Sequence, residues 1–480
     1  MRSAAPQAGP PGLSLPATLR LGLFQGCLGC LAVIFAGLLN RVMITELALP
    51  GLLVGVALAF EQFVSPTRIW FGQISDSRPL AGRHRLPYIW LGTLLFCGLA
   101  VLSVPLIFQV AALWRDGSGW AVAAGVAALC ALFAAYGLSV SLASTPYLAL
   151  VIDRTTERER PRAVGLIWCL LTVGIVVGAI AISLSLRDLD GVTDPSVLRE
   201  VLLGFMGRVV LVVLALTLVA TLGMEPRSNG PGVDREGSGA GSTSPRDDGP
   251  TLRQAWTLIT SSRQVLVFFS FLVFFNLGLF LQDPILESYG AEVFGMPIAA
   301  TASLNAYWGM GLMGGLLLAG LWMVPKWGKL GTARLGCRLI AISLVLLGLA
   351  GLTGRVPVLQ TVMVLFGLAA GVGTNGALVL MLDFTLPQAA GTFVGVWGLA
   401  QALSRASGKV LGGGLLDLGR GLPLRWFGAS SPAFPAYALV LGVETLMAIA
   451  ALVVLSSLNP RQFRDDTDRG LDQVLALEIE

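Results

Sequence analysis

Charge is what this sequence lacks most. Only 12% of its 480 residues are Asp, Glu, Lys or Arg, about half of what a soluble domain carries. With 55% hydrophobic residues and a mean hydropathy of +0.78, that scarcity excludes an ordinary water-soluble protein. Histidine is nearly missing: the one copy, His84, lies in a polar loop. No His-based triad can be built, and no buried imidazole is available to ligate haem or zinc. There is no Walker loop, no Gly-x-Ser-x-Gly and no clustered set of metal ligands, which argues against an ATP-driven pump and leaves no catalytic or metal site. The six cysteines (27, 30, 97, 130, 169 and 337) all fall inside apolar runs. Cys27-x-x-Cys30 has no second pair or histidine near it, so it reads as small residues at helical spacing. The net charge of +4 comes from basic residues in short loops and implies no nucleic-acid partner. Ten-residue alternating segments, the mark of barrel strands, do not occur. Residues 1–18 are Pro/Ala/Gly-rich and lack the pattern of a cleavable signal peptide.

Long apolar runs are what the sequence does have. Twelve segments approach or exceed the roughly 20 residues needed to cross a hydrocarbon core about 30 Å thick. They run over 19–40, 51–70, 88–109, 120–150, 163–185, 202–223, 264–282, 298–324, 333–353, 357–382, 391–414 and 436–457. The expected architecture is therefore an all-α integral membrane protein. Loop charge sets its orientation. Arg78, Arg83 and Arg85 follow span 2; Arg154, Arg158, Arg160 and Arg162 follow span 4; Lys326 and Lys329 follow span 8. The loop after span 7 holds Asp283, Glu287 and Glu292 with no Lys or Arg. Both termini are expected in the cytoplasm, although the loop after span 10 has no basic residue. Residues 225–251 are Gly/Ser/Pro/Asp-rich and read as a disordered linker between a six-helix half over 19–224 and another over 252–458. The first 18 residues and 459–480 read as cytoplasmic tails. Weak internal repetition supports two halves. Pro79-x-x-Gly82-Arg83 returns as Pro325-x-x-Gly328-Lys329, Gly37 and Glu46 as Gly278 and Glu287, and Asp153-x-Thr155 as Asp383-x-Thr385.

Polar groups at membrane depth are costly and are commonly functional or paired. Glu61 and Arg68 lie on one face of span 2, Arg405 and Lys409 one turn apart in span 11, and Glu444 inside span 12. Glu61 or Glu444 could carry a coupling proton. Alternatively Glu444 pairs with Arg405 or Lys409. Gln62 and Gln401 are among the amides that line the spans, available as hydrogen-bonding glue. Between spans 2 and 3, Gly72-x-x-x-Asp76 precedes the basic run Gly82-Arg83-His84-Arg85. This resembles the loop between helices 2 and 3 of the major facilitator superfamily. Gly72, Asp76, Arg83, Arg85, Asp153 and Arg162 are read as gating or structural residues, with the aspartates paired to loop arginines. Arg405, Lys409 and Glu444 join this structural group.

A narrower resemblance rests on several segments together. They are Asn40-Arg41-Val42-Met43-Ile44-Thr45-Glu46, Pro66-Thr-Arg-Ile-Trp-Phe-Gly-Gln-Ile-Ser-Asp76, Gln282-Asp283-Pro-Ile-Leu-Glu287-Ser-Tyr-Gly290 and Trp397-Gly-Leu-Ala-Gln401. From about residue 19 to 458 the chain is similar to the PucC/LhaA family, the bacteriochlorophyll-delivery branch of the major facilitator superfamily. That resemblance implies an assembly factor for light-harvesting complexes in the inner membrane of a photosynthetic bacterium. Its cargo would be (bacterio)chlorophyll, passed to antenna polypeptides alongside chlorophyll synthase and the insertion machinery, with no catalytic cofactor. Without a buried histidine, the pigment's magnesium would meet an amide, carboxylate or water oxygen, suited to a hard cation. Asn40, Arg41, Glu46, Glu61, Gln62, Gln282, Asp283, Glu287 and Gln401 are the candidate binding residues. Six of these, Asn40, Arg41, Glu46, Gln282, Asp283 and Glu287, could equally form a polar clasp closing the outer side. A proton-coupled transporter of a small solute is the competing function.

Overall fold

The computed structural model describes residues 14–80, 82–155, 160–187, 194–225, 263–383, 390–422 and 431–459. Hydrocarbon offers no water to backbone groups, so spanning segments must close their hydrogen bonds internally, and these segments are helical. Nine helical stretches among the described residues are long and apolar enough to cross a membrane. One of them, Ile298–Thr353, holds two helices meeting near Gly328, whose φ of +73° no other residue type adopts easily. A shorter helix at 51–77 and Ala390–Gly421 bring the number to twelve.

In chain order, α1 is Leu15–Glu46, with wide π-type turns over Ile34–Leu39 and Val42–Glu46. α2 is Gly51–Phe63, continued through a tight turn at Ser65–Thr67 into Arg68–Ser77. α3 (Leu86–Asp116), α4 (Gly119–Arg154), α5 (Arg160–Ser185) and α6 (Pro195–Thr221) complete the first half. α7 (Arg263–Phe280) breaks and resumes as a short helix, Leu286–Phe294. α8 (Ile298–Leu318, extended by a wide turn over Ala319–Met323), α9 (Val324–Thr353), α10 (Val356–Asp383), α11 (Ala390–Gly421) and α12 (Phe434–Ser456) form the second. Each of the twelve expected spans coincides with one helix.

The halves meet along two seams, α2 against α11 and α5 against α8. Helices 2 and 8 are equivalent in the two halves, as are 5 and 11, so one seam repeats the other about a pseudo-two-fold axis. Lipid supplies no hydrophobic drive between helices, so close approach of small residues must serve instead. It does so at the α2–α11 seam and, within the first half, between α1 and α5. A Cβ on Gly174 of α5 would strike the Gly26 carbonyl of α1, and one on Gly413 of α11 would strike that of Gly51 of α2. Large apolar side chains such as Leu94, Leu211 and Leu321 point outward to the lipid.

Several boundaries differ from the sequence reading. Residues 15–18, assigned to a tail, begin α1, capped by Ser14. α1 runs to Glu46 rather than ending at residue 40. Glu225, assigned to the linker, accepts from the backbone N–H groups of His84, Arg85 and Leu86 at 2.7–3.1 Å and so caps α3. The rest of 225–251 lies outside the described residues, as do residues 1–13 and 460–480.

Candidate functional site

One end of the bundle is closed by polar contacts between the halves. They begin with Asn40 and Arg41, held at the junction of two wide turns in α1. Such turns recur at functional sites, because an extra residue re-aims the side chains that follow. Asn40 Nδ2 donates to the Pro284 carbonyl at 2.5 Å. Arg41 donates to Thr301 Oγ1 at 2.6 Å and the Met296 carbonyl at 3.1 Å, and lies 3.4 Å from Glu46 within its own helix. Thr45 Oγ1 donates to Ser288 Oγ at 3.0 Å. Asn40 is fully buried and Arg41 nearly so.

Glu287 projects from the short helix after the α7 break and accepts a hydrogen bond from Asn305. It fits because α1 carries Gly37 there: a Cβ on Gly37 would sit 2.6 Å from Glu287 Oε1. Gln282 and Asp283 lie in the break itself. With Asn305 and Trp308 they help line a cavity of about 30 Å³, room for about one or two waters. Buried Gln282 Oε1 and Trp308 Nε1 have no protein partner there. The six expected residues of α1 and α7 thus come together at this end.

Below the closure, charges converge on the α2–α11 seam. Lys409 is buried, 3.6 Å from Glu61, and donates to the Leu58 carbonyl at 3.5 Å. Arg405 stacks over the Phe280 ring, 4.4 Å from its centre. Asp283, Glu61, Arg405 and Lys409 lie within electrostatic reach of one another, and Arg68 near Glu61 and Arg405. Arg68 and Arg405 are exposed. Gln62 and Gln401 are half-buried on α2 and α11, with no hydrogen-bond partner among the described residues.

Glu444 corrects an expectation. It pairs with neither Arg405 nor Lys409, because α2 lies beside α11 and Glu61 takes the lysine. Glu444 is fully buried, faces the Leu281 and Gln282 amides at the α7 break, and makes no hydrogen bond of ordinary geometry.

At the opposite end, Arg85 pairs with Asp153 at 3.1 Å and donates to Ser75 Oγ at 2.8 Å. Arg83 closes a tight turn with Leu80, at which Gly82 takes a φ of +70°. A Cβ on Gly72 would meet the Thr145 methyl at 3.5 Å, ordinary contact, so close approach does not demand that glycine. The side chains of Asp76 and Arg162 lie outside the described ones.

Sequence reasoning missed two features of the closed end. Asp417 of α11 accepts from the N–H groups of Gly51 and Leu52 at 2.8 and 2.7 Å, capping α2 from the other half. The available signal was that α2 opens on Pro50-Gly51 with no capping residue of its own. Arg420 pairs with Glu292 at 2.6 Å. No group of three or more His, Cys, Asp or Glu side chains among the described residues is placed to hold a metal ion.

A bacterial homologue of the human lysosomal transporter Spinster, in an inward-facing unoccupied conformation, superposes with a TM-score of 0.67 at 15% identity. The match covers 94% of this chain and 99% of the other. That likeness shows the fold, two six-helix halves packed as in that structure. An uncharacterized protein in the puhA-bchM intergenic region of Rhodobacter capsulatus is 31% identical over 418 residues, 85% of this chain and 81% of the relative. Protein PucC of Cereibacter sphaeroides is 30% identical over 451 residues, 93% of each. A protein named bacteriochlorophyll synthase 44.5 kDa chain, from Rhodobacter capsulatus, is 30% identical over 443 residues, 91% of this chain and 93% of the relative. The model of the PUCC protein family matches residues 38–463, from the Asn40 closure to beyond α12, and the chain belongs to that family.

Proposed function

We propose that this protein is an assembly factor for photosynthetic light-harvesting complexes that binds (bacterio)chlorophyll and passes it to antenna polypeptides, performing no catalysis. Family membership across residues 38–463 is the observation that carries this reading. Chlorophyll synthase and the membrane insertion machinery are the neighbours such a role requires. In this reading the chain sits in the cell inner membrane with both termini cytoplasmic, and the Asn40 end faces outward.

The geometry constrains where cargo could sit. The cavity of about 30 Å³ at the closed end is an order of magnitude below a ligand pocket of several hundred Å³. In this reading the tetrapyrrole sits outside the clasp, at the α2–α11 seam. There Gln62 and Gln401 offer amide oxygens to a hard magnesium ion. The macrocycle would lie on the apolar helix surface, and Asn40 and Arg41, with Glu287 packed against Gly37, would hold the halves together rather than touch pigment.

The test is an absorption spectrum of the tagged protein, purified in mild detergent under dim light from a pigment-making host. A tetrapyrrole band near one per protein, lost in Gln62→Ala/Gln401→Ala at unchanged protein yield, is the expected result. A monodisperse protein with no band rejects pigment binding. One observation favours the competing reading, a proton-coupled transporter: the cluster of Glu61, Arg68, Asp283 and Arg405 is more polar than a pigment needs. Solute uptake into proteoliposomes that follows a pH gradient and fails in Glu61→Gln would establish that reading.

A further inference from the structure

A second cavity lies on α9 and α12, away from the residues of the closed end. It is a groove of about 340 Å³ between α9 and α12, lined by Arg334, Arg338, Leu452, Val453 and Ser456. The two arginines are four residues apart, hence on one face of α9. Neither has a carboxylate partner among the described residues, and Arg334 Nε is buried with no acceptor.

Their depth makes this unusual. Arg338 is exposed and stands on the same stripe as Ile342, Val345 and Leu349, which are exposed to lipid at 55%, 50% and 51%. At 1.5 Å per residue, Arg338 lies about 22 Å along the axis from Thr353 and Arg334 about 28 Å. A hydrocarbon core about 30 Å thick that begins near Thr353 therefore ends close to this pair. Guanidinium groups at such a level are expensive unless they snorkel to, or meet, an anion. The same end carries the exposed Trp322 and Trp327, with Lys326 4.7 Å above the Trp322 ring, the amphipathic belt of a membrane interface.

We infer that the α9–α12 groove is a binding site for the phosphate of an anionic phospholipid, held by Arg334 and Arg338 with an acyl chain along Val453 and the outer stripe of α9. Two guanidinium forks suit phosphate oxygens better than a zwitterionic headgroup, whose own cation would face them. Basic pockets between helices on the cytoplasmic side are where such headgroups are bound. The inference stands apart from the pigment reading and survives its failure.

The experiment is native mass spectrometry of the full-length protein in mild detergent, titrated with phosphatidylglycerol or with phosphatidylcholine. Phosphatidylglycerol is expected to bind at least about tenfold more tightly, and Arg334→Gln/Arg338→Gln to abolish the difference. Equal binding of the two lipids, or an unchanged preference in the variant, overturns the site. Competition by millimolar inorganic phosphate would assign the groove to a soluble anion and overturn the lipid assignment. If the Gln variant aggregates, Arg334→Lys/Arg338→Lys decides. It keeps the charge but loses the fork, so phosphatidylglycerol should bind several-fold more weakly while phosphatidylcholine is unaffected. An unchanged phosphatidylglycerol affinity in that variant overturns the site.

Discussion

Removing the Arg41 side chain should open the closed end by a calculable amount. Its guanidinium makes two hydrogen bonds to the other half, to Thr301 Oγ1 at 2.6 Å and the Met296 carbonyl at 3.1 Å. Hydrogen bonds that involve a charged group contribute about 1.5–3 kcal/mol each, so Arg41→Ala shifts the closed–open balance by at least about 3 kcal/mol. At about 1.4 kcal/mol per factor of ten, the open population rises roughly a hundredfold. Ser288 reports that population, because it is 0% exposed in the closed state and lies in the contact. A Ser288→Cys protein, with half-buried Cys30 and exposed Cys169 replaced by Ser, is labelled by a thiol reagent only when the end opens. If opening is fast relative to labelling, the rate follows the open fraction. Adding Arg41→Ala should speed labelling by about two orders of magnitude, and Arg41→Lys by less. A rate within about twofold of the parent, in a protein that remains monodisperse, would refute the clasp as the element holding this end shut.

Two further outcomes follow from the same geometry. Glu61→Gln leaves the buried Lys409 ammonium without its carboxylate, which should cost about 3–5 kcal/mol, whereas Glu61→Gln/Lys409→Met removes the orphaned charge and should recover much of it. Melting in detergent measures both, and a double variant no more stable than the single would contradict the pairing. Gly37→Ala forces a methyl to 2.6 Å from Glu287 Oε1 and Gly72→Ala places one at 3.5 Å from a methyl. The first should destabilise by about 1–3 kcal/mol and the second by less than about 0.5 kcal/mol, again read by melting, and equal effects would refute the packing argument.

The twelve spans were legible because hydrocarbon leaves a long apolar run one option, a helix closed on its own hydrogen bonds. The ends were not legible, for a reason particular to this chain. Asn40 and Arg41 look like residues leaving the membrane, yet α1 continues past them to Glu46 because their polar groups are satisfied by Pro284, Thr301 and Met296 of the other half. Local sequence cannot show a partner some 250 positions away. Glu444 illustrates the same gap. Its charge and depth were visible, but its neighbour depended on which helices abut. α12 turns it toward the break in α7, while α11 offers Lys409 to α2. The weak repeat was informative about architecture and silent about detail. Gly37 and Gly278 correspond, yet one backs a carboxylate and the other the backbone of Ala448.

The break in α7 and the clasp explain each other. A continuous helix engages its own carbonyls, so it offers a neighbour nothing to bond. By stopping at Phe280 and resuming at Leu286, α7 frees the Pro284 carbonyl, and the turn before α8 frees that of Met296. Asn40 and Arg41 of α1 supply the donors these carbonyls need. Separating the halves would orphan donors and acceptors together in a place where each unmet group is costly. Intermediate separations are therefore disfavoured, and the end should exist either bonded or hydrated, as bistable interfaces do. Hydration has a ready point of entry. The cavity beside Gln282 has room for about one or two waters and already presents an unpaired carbonyl and an unpaired indole N–H, so water can enter at Gln282 before it reaches Asn40 and Arg41.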